Sequence, residues 1–229
     1  MQTRLLVATV LAAMAVSSGI PAQQPEPYFG RMPAPVMSYR GAPWLERPER
    51  EAEEQPARVV HAMQLENGDV VVDMGCGTGY YARRIAQAVG PDGKVIGVDI
   101  QQEMLDKMME FAEAEGISNI EPVLGGVDDP KLDPESADWI ILVDVYHEFA
   151  QPEPILEAIW KALNPDGKVA LLEYREEGHT AAHIKPDHRM STRQVLKEWN
   201  HAGFELVDLM EFLPSQHFFV FQRDPDREK

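Results

Sequence analysis

Three glycines at alternate positions, Gly75, Gly77 and Gly79, constrain this chain more than any other feature. They follow Val70-Val71-Val72-Asp73-Met74 and precede Tyr80-Tyr81-Ala82. An unbroken β-branched run is the pattern of a strand buried on both faces of a parallel sheet. Glycines at its end let the backbone turn tightly and come close to a ligand. Tyr80 to Val89 then reads as a helix. Strand, glycine turn and helix open a βα unit, and ligands of such sheets bind at the carboxyl ends of the strands.

The chain downstream repeats the unit. Lys94 to Asp99 reads as a second strand, and Gln102 to Glu115 as a helix with Leu105, Met108, Met109 and Ala112 on one side, ended by Gly116. Ile120 to Leu124 is a third strand, and Pro122 within it predicts a place near a sheet edge. Trp139 to Val143 is a central strand. Pro154 to Leu163 is a helix closed by Asn164-Pro165-Asp166-Gly167, and Val169 to Glu173 is the fifth strand. Ser191-Thr192-Arg193-Gln194 is a capping box for a last helix through His201, stopped by Gly203. Phe204–Leu213 and His217–Gln222 are separated only by Pro214-Ser215-Gln216, too short for a crossover, so they form an antiparallel hairpin. The expected fold is α/β: a mostly parallel seven-stranded sheet with a C-terminal antiparallel hairpin and helices on both faces.

The front of the chain differs. Arg4, the apolar run Leu5 to Val16 and small residues up to Ala22 have the order of a secretory signal peptide over residues 1–22. That run is short for a membrane span. The expectation is export, to the periplasm after cleavage, with a cytoplasmic or membrane-tethered protein as the alternative. Residues 23–54 form a Pro-rich arm, 55–223 the main domain, with a first helix from Pro56 to about Leu65, and 224–229 a polar tail. The net charge of −17, with no basic run, argues against nucleic acid as a partner. The one cysteine, Cys76, excludes an internal disulfide and any multi-cysteine metal site.

The spacing of the turn separates cofactor classes. A dinucleotide loop reads G-x-G-x-x-G, but here the third glycine comes one place early and Tyr80 follows it. Asp73, just before the turn, is awkward beside a pyrophosphate but suits an ammonium group. The stretch resembles motif I of class I methyltransferases, D/E-x-G-x-G-x-G, and the resemblance extends over about residues 55–223. It implies S-adenosyl-L-methionine as cofactor, with Asp73, Gly75, Cys76, Gly77, Thr78 and Gly79 around it. Asp99, ending the second strand, matches the acid that accepts the ribose hydroxyls, with Ile100 against the adenine; the plainer reading of Asp99 is a helix N-terminal acid. In Gly125-Gly126-Val127-Asp128-Asp129, Val127 and Asp128 are expected at the adenine edge, Asp128 ahead of Asp129; the alternative is an ordinary turn before Pro130. Asp144 would line the methionine end of the cofactor.

His147 is the candidate base, since an imidazole titrates near neutrality; the alternative is a packed histidine. His179, His183 and His188, with Asp187 among them, match no compact metal spacing, so no metal is expected and the loop reads as a polar substrate-side segment. Trp44, Arg47 and Arg50 read either as a lid over the cofactor pocket or as a helix docked on the core through Glu46, Glu49 or Glu53. The function implied is methyl transfer to a small or medium organic acceptor, with no stable membrane span after cleavage. The competing reading is an exported binding or sensory module that keeps the fold, because the family normally works in the cytosol where its cofactor is made. A nicotinamide-dependent oxidoreductase is weaker, opposed by Tyr80.

Overall fold

The computed structural model describes residues 26–227, so the expected signal segment at 1–22 lies outside the described residues. The first elements are a 3-10 turn Tyr39–Gly41, α1 (Ala42–Leu45), α2 (Glu49–Glu54) and α3 (Pro56–Met63). The alternating part comprises β1 (Val70–Met74), α4 (Tyr80–Ala88), β2 (Lys94–Asp99), α5 (Gln102–Ala114), β3 (Ile120–Leu124) and β4 (Ala137–Val143). A 3-10 turn Tyr146–Glu148, α6 (Pro152–Ala162) and β5 (Leu163–Tyr174) follow. The end holds a 3-10 turn Pro186–His188, α7 (Thr192–His201), β6 (Phe204–Met210) and β7 (Gln216–Arg223).

The strands form one seven-stranded sheet in the order β3-β2-β1-β4-β5-β7-β6. The first five are parallel, and β7 runs antiparallel to both β5 and β6. β3, carrying Pro122, is an edge strand as expected. From β1 the chain winds outward through β2 and β3, then returns to the other side of β1 with β4. That reversal leaves a crevice at the carboxyl ends of β1 and β4.

Successive strand residues point to opposite faces, which explains the unbroken apolar runs. Val71, Val95 and Ile141 pack with α3, α4 and α5 through Met63, Ile85 and Met108. Val72, Ile140 and Leu142 pack with α6 and α7 through Ile159 and Trp199. Trp199 is fully buried and stacks on Phe221 at 4.8 Å and 11°. α7 begins as the capping box foretells, Ser191 Oγ accepting from Gln194 N at 3.3 Å. The Gln194 side chain turns to Glu198 instead of back to the cap.

One expectation is corrected. Asn164–Gly167 does not separate helix from strand: β5 starts at Leu163, directly after α6. Leu163 pairs with Ala137 and Lys168 with Trp139, so the four residues between them form a bulge in the ladder. Pro165 donates no N–H, and a bulge is where a sheet admits such a residue. Among the described residues no helix is long and apolar enough to cross a membrane.

Candidate functional site

A cleft opens where the topology places it, at the ends of β1, β2 and β4. Its floor is the glycine turn. Gly75, Gly77 and Gly79 have φ of 71°, 53° and 75°, a region that costs L-residues free energy. A Cβ at Gly77 would lie 2.8 Å from Leu45 Cδ1, so α1 rests directly on the turn.

Of the residues expected around the cofactor, Asp73, Gly75, Cys76, Gly77, Asp99, Ile100, Val127 and Asp144 line the cleft. Thr78, Gly79 and Asp128 do not. Thr78 turns away and donates its hydroxyl to Glu46 Oε1 at 2.5 Å. Gly79 caps α4, and a side chain there would collide with Met108 of α5. Asp128 is exposed beyond the rim, while Val127 and Gly126 present themselves to the cleft.

Four acids line the cleft, Asp73, Asp99, Asp144 and Glu148. Asp73 is buried, and burial pushes its carboxyl up to about 7, Asp99 adding to the rise while the Ala82 N–H and Arg50 oppose it. Its Oδ2 is shielded from solvent with no hydrogen-bond partner. Asp144 has φ 50°, an uncommon conformation for a residue with a side chain. It accepts from Gln216 Nε2 at 2.6 Å through Oδ2, leaving Oδ1 shielded and unpartnered. Burial and the nearby Glu54 and Glu173 carboxylates hold Asp144 well above the usual carboxylate range. Asp99 accepts from the Gly77 N–H at 3.0 Å and the Gln101 N–H at 2.9 Å, tying β2 to the turn.

The arm combines features of both readings made of it. Val36, Met37, Leu45 and Arg50 form one wall of the cleft. Arg50 is itself buried, its Nε donating to Glu54 at 2.6 Å and its Nη1 to the Leu45 carbonyl at 2.9 Å. Arg47 pairs with Glu53 and lies over the Trp44 ring at 3.6 Å, away from the cleft. Glu46 docks outward, onto Thr78 and Arg83.

His147 sits beside the cleft, not in its wall. It is buried, its Nδ1 is 2.6 Å from Glu173 Oε2, and its backbone N–H donates to Glu173 Oε1 at 3.2 Å. Burial opposes the imidazolium, but the Glu173 carboxylate outweighs it and the pKa is raised. Sequence reasoning missed Glu54, Glu148, Glu173 and Gln216. Glu173 ends β5 as Asp73 ends β1, and that strand-end position was the one available signal.

The residues fit the expected cofactor. A shielded carboxylate oxygen on Asp73 beside a glycine turn suits an ammonium group, and Asp99 ends β2 where two ribose hydroxyls would lie. The Gly75 and Cys76 amides donate to the Val98 carbonyl and the Gly77 amide to Asp99, so these turn amides are already engaged and are not free for a pyrophosphate.

Comparison with known proteins agrees. A family model described as a methyltransferase domain matches residues 65–212. An arsenite methyltransferase of Halobacterium salinarum is 29% identical over 170 residues, 70% of this chain and 43% of that protein. A demethylmenaquinone methyltransferase of Lactobacillus johnsonii is 30% identical over 112 residues, 48% and 46% of the two chains. The chain thus spans less than half the length of these relatives. Among solved structures, a SAM-dependent methyltransferase from Aquifex aeolicus superposes with a TM-score of 0.73 at 24% identity, over 81% of this chain and 98% of that one. The glycine turn, the strand-end acids and the family match agree, and this chain belongs to the methyltransferase domain family.

Proposed function

We propose that the protein transfers a methyl group from S-adenosyl-L-methionine to a small or medium organic acceptor. The observation that carries this is Asp73: a buried carboxyl with an unpartnered oxygen, set in the cleft with Gly75 and Gly77, both of positive φ, at the switch point of the sheet. The cofactor, when bound, supplies an activated methyl group on a sulfonium. The protein's own work is to bind, orient and exclude water. Asp73 takes the ammonium, Asp99 the ribose, and Ile100 and Val127 flank the base. The arm, through Met37 and Leu45, closes the cleft toward solvent as a lid. Orientation of this kind accounts for much of the rate in a reaction whose donor is already activated.

The acceptor class is narrowed by chemistry. A soft acceptor such as arsenite calls for several thiolates, and the chain has one cysteine, buried in the glycine turn with its thiol pushed up by burial. An organic acceptor therefore suits this chain better than the arsenite named for one relative. The N-terminal pattern at Arg4 and Leu5 to Val16 supports an exported location, which fractionation of host cells would check. Calorimetry with S-adenosylhomocysteine tests the core reading. Micromolar binding is expected, and silence at millimolar ligand would leave the exported binding module as the better account.

A further inference from the structure

The fold brings together a group that sequence spacing keeps apart. His147 and Glu148 lie in the 3-10 turn after β4, and His188 ends the 3-10 turn before α7. One ligand atom from each of His147, Glu148 and His188 lies within 4.8 Å of the others. The two imidazole rings are 5.1 Å apart, centre to centre. We propose that these three side chains form a binding site for a divalent transition metal at the edge of the cofactor cleft.

Two observations beyond proximity point to a ligand. Each imidazole has its Nδ1 engaged by a carboxylate: His147 by Glu173 at 2.6 Å, His188 by Asp187 at 2.7 Å. A carboxylate on Nδ1 favours a proton there, so that each ring, when neutral, carries its lone pair on Nε2, the arrangement by which metal-ligating histidines are oriented. Among the described residues no side chain takes a hydrogen bond at either Nε2. Glu173 is fully buried and spends both oxygens on His147. A carboxylate sunk in the core to orient one imidazole is costly, and packing alone does not require it.

Glu148 links the group to the cleft. Its Oε1 accepts from the Met37 N–H at 3.2 Å, and the residue lines the cofactor cleft. Two nitrogens and one carboxylate suit borderline divalent ions such as zinc, iron(II) or cobalt(II), and leave coordination positions open. On the methyltransferase reading, those positions take an acceptor that carries an oxygen or nitrogen donor and that reaches the group past Glu148, the one of the three that lines the cleft. Metal bonds of about 2.0–2.2 Å draw donors to about 3–3.5 Å apart, so the group closes on loading. His188, half-buried on its short turn, supplies that movement.

Cobalt(II) titration of the full-length, chelator-treated protein, followed by visible absorption, is the test. One equivalent should bind with a ligand-field band. His188→Ala and Glu148→Gln, each checked for unchanged melting, should weaken binding at least tenfold. Asp187→Asn, which touches no metal, should weaken it about 10–100-fold, as orienting partners do. Absence of stoichiometric cobalt, or equal affinity in His188→Ala, would overturn the site and leave a hydrogen-bonded histidine pair. Parallel calorimetry with S-adenosylhomocysteine separates the two readings: cobalt binding without nucleoside binding supports the metal site while removing methyl transfer as its use.

Discussion

Asp73 faces two demands that conflict until a cation arrives. Burial favours its neutral form, with a pKa near 7. In the ligand-free protein, ionising it costs stability progressively between about pH 4 and about pH 7, because the unfolded carboxyl titrates near 3.9. An ammonium against the free Oδ2 reverses the preference. Cofactor binding should therefore release a proton below about pH 7, and affinity should rise up to tenfold per pH unit from about 6 to 7, then level off. Above about pH 8 the ligand's own amine loses its proton and the gain fades. Calorimetry in two buffers of different ionisation enthalpy reads the proton directly; a flat affinity with no release would take Asp73 out of the binding site. The residue's place in the cleft was legible in the sequence, because an acid at a strand end before glycines lies at the switch point of such a sheet. The division among its neighbours was not. Spacing treats Gly75, Thr78 and Gly79 alike, whereas the helix start turns the last two toward Glu46 and Met108. The partner of Asp144, Gln216, lies on the last strand, beyond the reach of any local pattern.

The arm, read as a Pro-rich segment, proves to be fastened at several points. Arg31 makes a two-pronged pair with the fully buried Glu198 of α7, Nε–Oε1 and Nη2–Oε2 both at 3.0 Å. Glu198 also accepts from Tyr146 OH at 2.6 Å. Ala34 N donates to the His147 carbonyl, and Tyr39 N to Gln101 Oε1. The wall of the cleft thus hangs from the core by polar contacts that no periodicity reveals. Removing one partner of a buried pair leaves the other charge stranded, at a cost of about 3–5 kcal/mol. Arg31→Ala should therefore lower unfolding free energy by that order in a denaturant titration and loosen cofactor retention as well. A loss below about 1 kcal/mol would mean that the pair is solvated and the arm merely rests there. Regular elements read more easily: β2, β3 and α7 have the bounds expected, since Asp99, Pro122, Ser191 and Gly203 punctuate them locally. The start of β5 was misread because Pro165 and Gly167, ordinary turn signals, serve here to bulge a strand.

At the scale of the whole molecule, the net charge of −17 is distributed over a surface whose arginines are partly withdrawn. Arg50 and Arg83 are buried against acids and offer little to the exterior. Self-repulsion among the remaining carboxylates opposes the compact state. Raising ionic strength from about 0.01 to 0.15 M shortens the screening length from about 30 to 8 Å. The melting temperature should rise over that range; a fall would show that exposed ion pairs such as Lys94–Glu121 outweigh the repulsion. The strand order carries a further consequence, for synthesis. β6 is made before β7 but hydrogen-bonds only to it, and β7 is the strand that lies against β5. Until residues up to 223 have left the ribosome, β5 has an open edge, and Trp199 lacks the Phe221 ring on which it stacks. A nascent chain is therefore held short of its native state until β7 has been made and has closed the edge of β5.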